Sequence, residues 1–362
     1  MNQAVSQAAN PVRVTLQDVA DRAGVSLTTA SRVVNEGSRR VGPRLAQRVN
    51  QAVTELGYTA NLQARAVATG QSTMVGVVVH DIADPYFSSI AAGLIEVADA
   101  RRLLVCLSPA AATEAAEREY VALMRAQRAR AVILIGSRSD DAAARDALRA
   151  EIAAFTRSGG RAACVGQDLL GVDTVQPENA AGAEALAQAM VALGHRRFAV
   201  LAGPRGLLTA RDRLDGFRAG LAAWSVPLEA ARVVYGAFTR DGGYEAMSAI
   251  LAADETLPDC VFAVTDVMAM GALARLRAGG LQVPADIALA GFDDIGTLRD
   301  VYPPLTTVRL PLKRMGEMAA GLVLAEAAVA SADAGPGPQP RVIPVPGEVI
   351  LRESTLPRPP AR

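Results

Sequence analysis

The sequence predicts an N-terminal all-α helix-turn-helix headpiece followed by an α/β core of two doubly wound parallel-sheet lobes. Three observations carry that prediction. Residues 15–35 hold two short helical patterns joined at a glycine. From Val75 onward, short β-branched runs alternate with longer helical patterns. The 362 residues leave room for two or three domains and a large core. The expected boundaries are 12–59 for the headpiece, 60–72 for a linker and 73–355 for the core.

In the headpiece, Thr15 is placed to cap a first helix, with Asp18 three residues on to make a near capping box. Val19, Ala20 and Ala23 form its apolar face, and Gly24 permits a sharp turn. Ser26 is placed to cap a second helix whose Ala30, Val33 and Val34 face inward. That leaves Leu27, Thr28, Ser31, Arg32 and Asn35 to point outward, and these, with Thr15 and Ser26 at the helix starts, are the candidate DNA contacts of the headpiece. Threonine and asparagine bond base edges or phosphates, arginine prefers the O6/N7 edge of guanine, and an apolar tip meets a thymine methyl. Two helices joined this way present the second to a DNA major groove. A plain helical hairpin with a solvated polar face gives the same pattern, so the flanking sequence has to decide. Gly42-Pro43 opens a third helix in which Leu45, Val49, Ala52, Val53 and Leu56 recur at helical spacing, and Gly57 ends it. Between Val12 and Asn61, seven Arg stand against four Asp plus Glu, whereas the whole chain balances 37 basic against 37 acidic residues. A basic module on a neutral body suits phosphate contact.

In the core, Val75–Val79, Leu103–Leu107 and Ala131–Ile135 read as strands, with helices about 86–101 and 114–128 between them. The alternation resumes with Phe198–Ala202, Arg232–Tyr235, Cys260–Val264 and Ile287–Gly291, and with helices near 178–194, 211–223, 241–253, 266–279 and 312–330. Continuous apolar strands alternating with helices indicate parallel sheets covered on both faces. So many units exceed one mononucleotide-type half, which makes two lobes the natural division. Ser331–Pro340 reads as a loop and Pro357–Arg362 as a tail.

Open α/β lobes bind ligands at the carboxyl ends of their strands. The residues so placed are Tyr86 and Phe87, Arg213, Phe238, Thr265 and Asp293. An aromatic face, a guanidinium and a carboxylate suit a polyol, whose C–H faces stack while its hydroxyls bond Arg and Asp. Core packing stays open for each aromatic, and a structural ion pair for Arg213 and Asp293. As ligand residues, these two are expected to act from opposite walls of the cleft.

Composition narrows the function. The chain is 51% hydrophobic, but in short runs that never approach a membrane span. Met1–Val12 lacks an apolar signal region, which points to a cytoplasmic protein. Three cysteines without a CxxC, and only two His, argue against a disulfide framework or a metal site, and suggest buried, reduced thiols. No cofactor is expected. The sequence holds no GxGxxG after a first strand, no Walker loop and no GxSxG. His80 and His195 have no Ser or Cys at a motif spacing, and His195 is expected at the surface or in a structural role. An α/β enzyme and a transport-type solute-binding protein are the rival readings, and the headpiece disfavours both.

Several segments together resemble one family. Val14-Thr-Leu-Gln-Asp-Val-Ala, Ala23-Gly-Val-Ser, Ser31-Arg-Val-Val-Asn35 and Glu55-Leu-Gly-Tyr58 are similar to the headpiece of the lactose/galactose repressor (LacI/GalR) family. Gly76–Phe87, Ala192–Pro204, Ala210–Phe217, Gly291–Asp294, Pro303–Thr307 and Arg352–Thr355 resemble its later motifs, in the right order. The resemblance implies a ligand-responsive regulator, most often a repressor. It would act as a homodimer on double-stranded palindromic operator DNA, with a small, carbohydrate-like effector between periplasmic-binding-protein-like lobes. It implies lobes interleaved by chain crossings, here near 165, 295 and 331–341. It also implies a hinge helix in 60–72 that enters the minor groove through Asn61, Ala64 and Val67. Val67 stands where the family usually has a leucine wedge, and Ala60 where it usually has a proline. Arg213, Phe238 and Asp293 match the family's usual ligand contacts, while Thr265 replaces a common Asn. The usual Asp after the fourth strand is displaced within Gly166-Gln167-Asp168. No leucine heptads follow Arg352, so a tetramerising C-terminal coil is not expected.

Overall fold

A computed structural model describes residues 14–34, 41–59, 72–109, 113–253, 256–325 and 339–356. The chain divides into two compact units, Met1–Ser72 and Thr73–Arg362. The hinge positions Asn61, Ala64 and Val67, together with Asn35, lie outside the described residues, as do most of the 331–340 loop and the tail after Leu356.

The first unit is built from α1 (Leu16–Ala23), α2 (Leu27–Val34) and α3 (Pro43–Leu56). Val19, Ala20, Ala23, Ala30, Val49 and Ala52 form its buried centre, with Val33, Val53, Leu56 and Tyr58 packed around them. Leu45, expected on that apolar face, is instead 39% exposed. It lies in the first turn of α3, and the centre draws on Val49 and residues beyond.

The second unit begins with β1 (Met74–Val79), α4 (Pro85–Asp99), β2 (Leu104–Pro109), α5 (Glu114–Ala126), β3 (Ala131–Ile135), α6 (Ala142–Arg157), β4 (Arg161–Val165) and β5 (Asp173–Pro177). It continues with α7 (Asn179–Ala192), β6 (Phe198–Leu201), α8 (Leu208–Ala222), β7 (Val233–Val234), α9 (Arg240–Ala253), β8 (Cys260–Ala263), α10 (Asp266–Ala278) and β9 (Ala288–Ala290). It ends with β10 (Thr307–Arg309), α11 (Leu312–Leu324), β11 (Val342–Val345) and β12 (Glu348–Ile350).

Two parallel sheets define the lobes. The first has the order β11-β5-β4-β3-β1-β2 and the second β7-β6-β8-β9. A short antiparallel ladder pairs β10 with β12. In the first sheet, side chains alternate between two apolar layers: Ile133, Ile135 and Val165 join the layer of Ile90 and Leu94 on α4, whereas Val132, Leu134 and Cys164 join that of Val121 on α5 and Leu148 and Ile152 on α6. Burial of both faces explains why these strands read as unbroken apolar runs.

The chain changes lobe after β5, where α7 packs on α8 of the second lobe, and after β10, where α11 packs back on α4. It returns between β11, at the edge of the first sheet, and β12. Each passage falls some residues later than the segments near 165, 295 and 331–341. The displacement follows from elements whose sequence signal is weak. β4 and β5 add two further strands to the first lobe, and Asp173, Thr174 and Gln176 interrupt the apolar pattern of β5. β11 carries Pro344, which only an edge strand accommodates without losing a ladder bond.

Candidate functional site

Two sites emerge, one in each unit. In the first, the capping box is complete: Thr15 N–H donates to Asp18 Oδ2 at 2.8 Å and Asp18 N–H to Thr15 Oγ1 at 3.3 Å. Gly24 adopts φ 60°, the left-handed turn conformation. Ser26 Oγ accepts from Thr29 N–H at 3.2 Å and so starts α2. The hydroxyls of Thr15 and Ser26 are therefore engaged as caps. With Ala30 buried and Val33 and Val34 packed on the centre, α2 turns the face of Leu27, Thr28, Ser31 and Arg32 outward. Leu27 is 46% exposed, Thr28 and Arg32 are exposed, and Ser31 is half-buried. The sequence reading missed Arg48. Its guanidinium donates to the carbonyls of Ala23 and Gly24 and so ties α3 to the turn.

The second site is a small cavity between the two lobes of the core. All six sequence-predicted ligand residues, Tyr86, Phe87, Arg213, Phe238, Thr265 and Asp293, line it. Tyr86 and Phe87 lie in the first turn of α4, capped by Asp84 Oδ1, which accepts from Tyr86 N–H at 2.9 Å. Their rings meet edge to face with centroids 5.1 Å apart. Phe238 approaches through Gly203: a Cβ there would lie 2.2 Å from the ring, and φ is 71°. A side chain at 203 would displace the ring and strain the backbone.

Arg213 and Asp293 do not face each other across the cleft. They form one buried pair on a single wall, with Nη2 donating to Asp293 Oδ1 at 2.8 Å. Arg213 Nε donates to Asn179 Oδ1 at 2.9 Å and Nη1 to the Val264 carbonyl at 2.7 Å, while its face lies 3.9 Å from the Phe292 ring. This corrects the opposite-walls expectation. The physical reason is burial: a guanidinium 2% exposed needs a counter-charge within the protein. Burial pushes the Asp293 carboxyl up to about 7, with Arg213 opposing that rise. Asp293 also holds φ 120°, unusual for a residue with a side chain, and its N–H is fixed on the Val308 carbonyl at 2.8 Å. Thr265 Oγ1 caps α10 by accepting from Met268 N–H at 3.3 Å.

Further lining residues went unrecognised in the sequence, among them His80, Asp84, Ser137, Asn179 and Thr209. His80 and Asp84 lie unremarked within Gly76–Phe87, whereas Ser137, Asn179 and Thr209 reach the cavity from three other segments and share no local motif. Beneath His80 lies a buried ion pair in which the Arg138 guanidinium donates to both Glu117 oxygens. Burial alone would raise the Glu117 carboxyl, but Arg138 overrides it and holds it at about 2. His80 Nε2 lies 3.3 Å from the same carboxylate, so this His has a carboxylate partner that the sequence did not reveal. Asp168 is exposed and does not line the cavity; Gly166 does. Gln167 instead joins the lobes, bonding Arg138 N–H at 2.9 Å and Thr209 Oγ1 at 3.0 Å.

Among the described residues, no cluster of His, Cys, Asp and Glu could hold a metal, and no helix is long and apolar enough to cross a membrane. Cys164 and Cys260 are buried and Cys106 is partly exposed, all as free thiols. His195 is buried, with 1% exposure.

Residues 15–61 match the family model for bacterial regulatory proteins of the lacI family, and residues 187–355 match a periplasmic binding protein-like domain. The chain is 33% identical over 320 residues to the HTH-type transcriptional regulator CelR of Thermobifida fusca, covering 86% of this chain and 91% of CelR. It is 31% identical over 314 residues to GalR of Escherichia coli (strain K12), covering 86% and 88%. Among solved structures, the Lac repressor bound to ONPG in the repressed state superposes with a TM-score of 0.80 at 27% identity, covering 94% of this chain and 99% of that one. A CelR–cellobiose complex superposes with a TM-score of 0.67 at 29% identity, covering 94% and 100%.

Proposed function

Because this chain belongs to the lacI family of bacterial regulatory proteins, we propose that it is a cytoplasmic, homodimeric repressor whose grip on a palindromic operator is set by a small carbohydrate-like effector. That it is a DNA-binding transcriptional regulator, and not an enzyme, follows from the family itself. The observation that carries the finer reading is the pairing, in one chain, of an outward recognition face on α2 with a cavity lined by Arg213, Asp293 and Phe238. A dimer suits the headpiece, because a single small module makes too few contacts for useful specificity. Asn61, Ala64 and Val67 complete the proposed DNA contacts as a minor-groove hinge. The effector controls transcription by binding DNA-competent and DNA-incompetent arrangements of the core unequally.

Random-site enrichment with the full chain tests the reading, and a palindromic consensus is the expected result. On that consensus, Arg32→Ala weakens binding by about 1–3 kcal/mol if the guanidinium reads a guanine. A Leu27/Thr28 double variant selects a different sequence. Selection of the wild-type consensus by that variant would remove α2 as the reading element.

A further inference from the structure

We propose that the cavity between the lobes selects an uncharged polyhydroxyl ligand and rejects the carboxylate and phosphate derivatives of the same molecule. This rests on the reading of the cavity as the effector site and adds to it a charge class.

Arg213 is the only Arg or Lys among the described residues that line the cavity. Each of its three nitrogens already has a protein acceptor: Asn179 Oδ1, the Val264 carbonyl and Asp293 Oδ1. A ligand anion is normally held by a guanidinium through two parallel bonds. Here three of the five N–H bonds are spent on buried protein acceptors, and the one to Asp293 already pairs the charge inside the wall. The one lining cation is therefore already paired with a protein carboxyl group and offers an anion no uncompensated charge.

The unengaged groups point the same way. Asp293 uses Oδ1 on Arg213, and Asp84 uses Oδ1 on the start of α4, which leaves the second oxygen of each carboxylate without a protein partner among the described residues. His80 commits Nε2 to the Glu117 carboxylate, 3.3 Å away. Asn179 is 6% exposed; its oxygen is taken by Arg213, and its amide nitrogen has no protein partner among the described residues. The open positions are thus mostly acceptors, with an amide donor beside them. A sugar hydroxyl both donates and accepts, so it serves either kind. An ionised carboxylate only accepts, and it or a phosphate would stand beside the Asp84 carboxyl with the one lining guanidinium already paired to Asp293, in a site where like charges are poorly screened.

The test uses the full-length protein and matched probes. Glucose, galactose and cellobiose are titrated calorimetrically against gluconate, glucuronate, galacturonate and glucose 6-phosphate, with thermal melting in parallel. The expected result is that at least one neutral sugar binds and raises the melting temperature, and that its charged derivatives bind at least tenfold more weakly. An acid or phosphate that binds as tightly as its neutral parent overturns the proposal while leaving the effector site in place. Silence across the whole set overturns the carbohydrate reading of the cavity, and this inference with it. Asp84→Asn keeps the helix cap but removes a charge, and it should narrow the discrimination against acids by at least threefold. Unchanged discrimination would overturn the role given to Asp84.

Discussion

Replacing Glu117 with Ala is expected to destabilise the core by about 3–5 kcal/mol, read as a lower urea midpoint. The side chain sits in the first turn of α5 with 1% exposure, and the Arg138 guanidinium it receives is fully buried. Removing the carboxylate strands a charge that water cannot reach. His80, on the cavity wall, loses its partner in the same step. The pair also makes stability depend on acid. The folded carboxyl is held at about 2 against an ordinary 4.5, so its stabilisation is complete above pH 4.5 and is lost as pH falls towards 2. That part is worth about 3 kcal/mol. Glu117→Gln should flatten this segment of the acid-unfolding profile while keeping the side chain's shape. A wild-type midpoint for Glu117→Ala would show that the pair does not hold the core.

The second large effect is expected at Arg213. Read from sequence alone, Arg213→Ala should cost only ligand affinity, because its partner would be a group on the ligand. The structure gives it a protein partner, so the substitution leaves Asp293 buried beside an empty position, together with Asn179 and the Val264 carbonyl. The expected cost is again about 3–5 kcal/mol of stability, along with loss of any effector response. The lower end applies near neutrality, because without the guanidinium Asp293 takes up a proton and sheds its charge. The sign differs from Glu117: a carboxyl raised to about 7 contributes its stability at low pH and loses it as pH rises from 3.8 through 7. The double variant Arg213→Met, Asp293→Leu removes both charges and should recover most of the midpoint while staying unresponsive to effector. A double variant no more stable than Arg213→Ala would show that the cost was lost packing and not a stranded charge.

The headpiece was legible because its determinants are local. The Thr15–Asp18 box, the Gly24 turn and the Ser26 cap each close over three or four residues, and the apolar positions of α1 and α2 repeat within one turn. Leu45 was misread because helical spacing names a face but not how far the neighbouring helices extend along it. In the core, strands buried on both faces stood out as apolar runs, whereas β5 and β11 were hidden by polar residues and a proline. The lobe crossings moved with them, because topology depends on every strand being counted.

The sequence by itself determined the headpiece, the alternation of strands and helices, and the membership of Tyr86, Phe87, Arg213, Phe238, Thr265 and Asp293 in the cavity wall. Those properties follow from local periodicity and from the rule that ligand residues trail parallel strands. Only the tertiary structure decided which groups are engaged. Arg213 meets Asp293 across 80 positions and Asn179 across 34, and Glu117 meets Arg138 across 21. No spacing rule encodes such pairs, because they are selected by desolvation: once the lobes bury a charge, the nearest opposite charge becomes obligatory, wherever in the chain it lies.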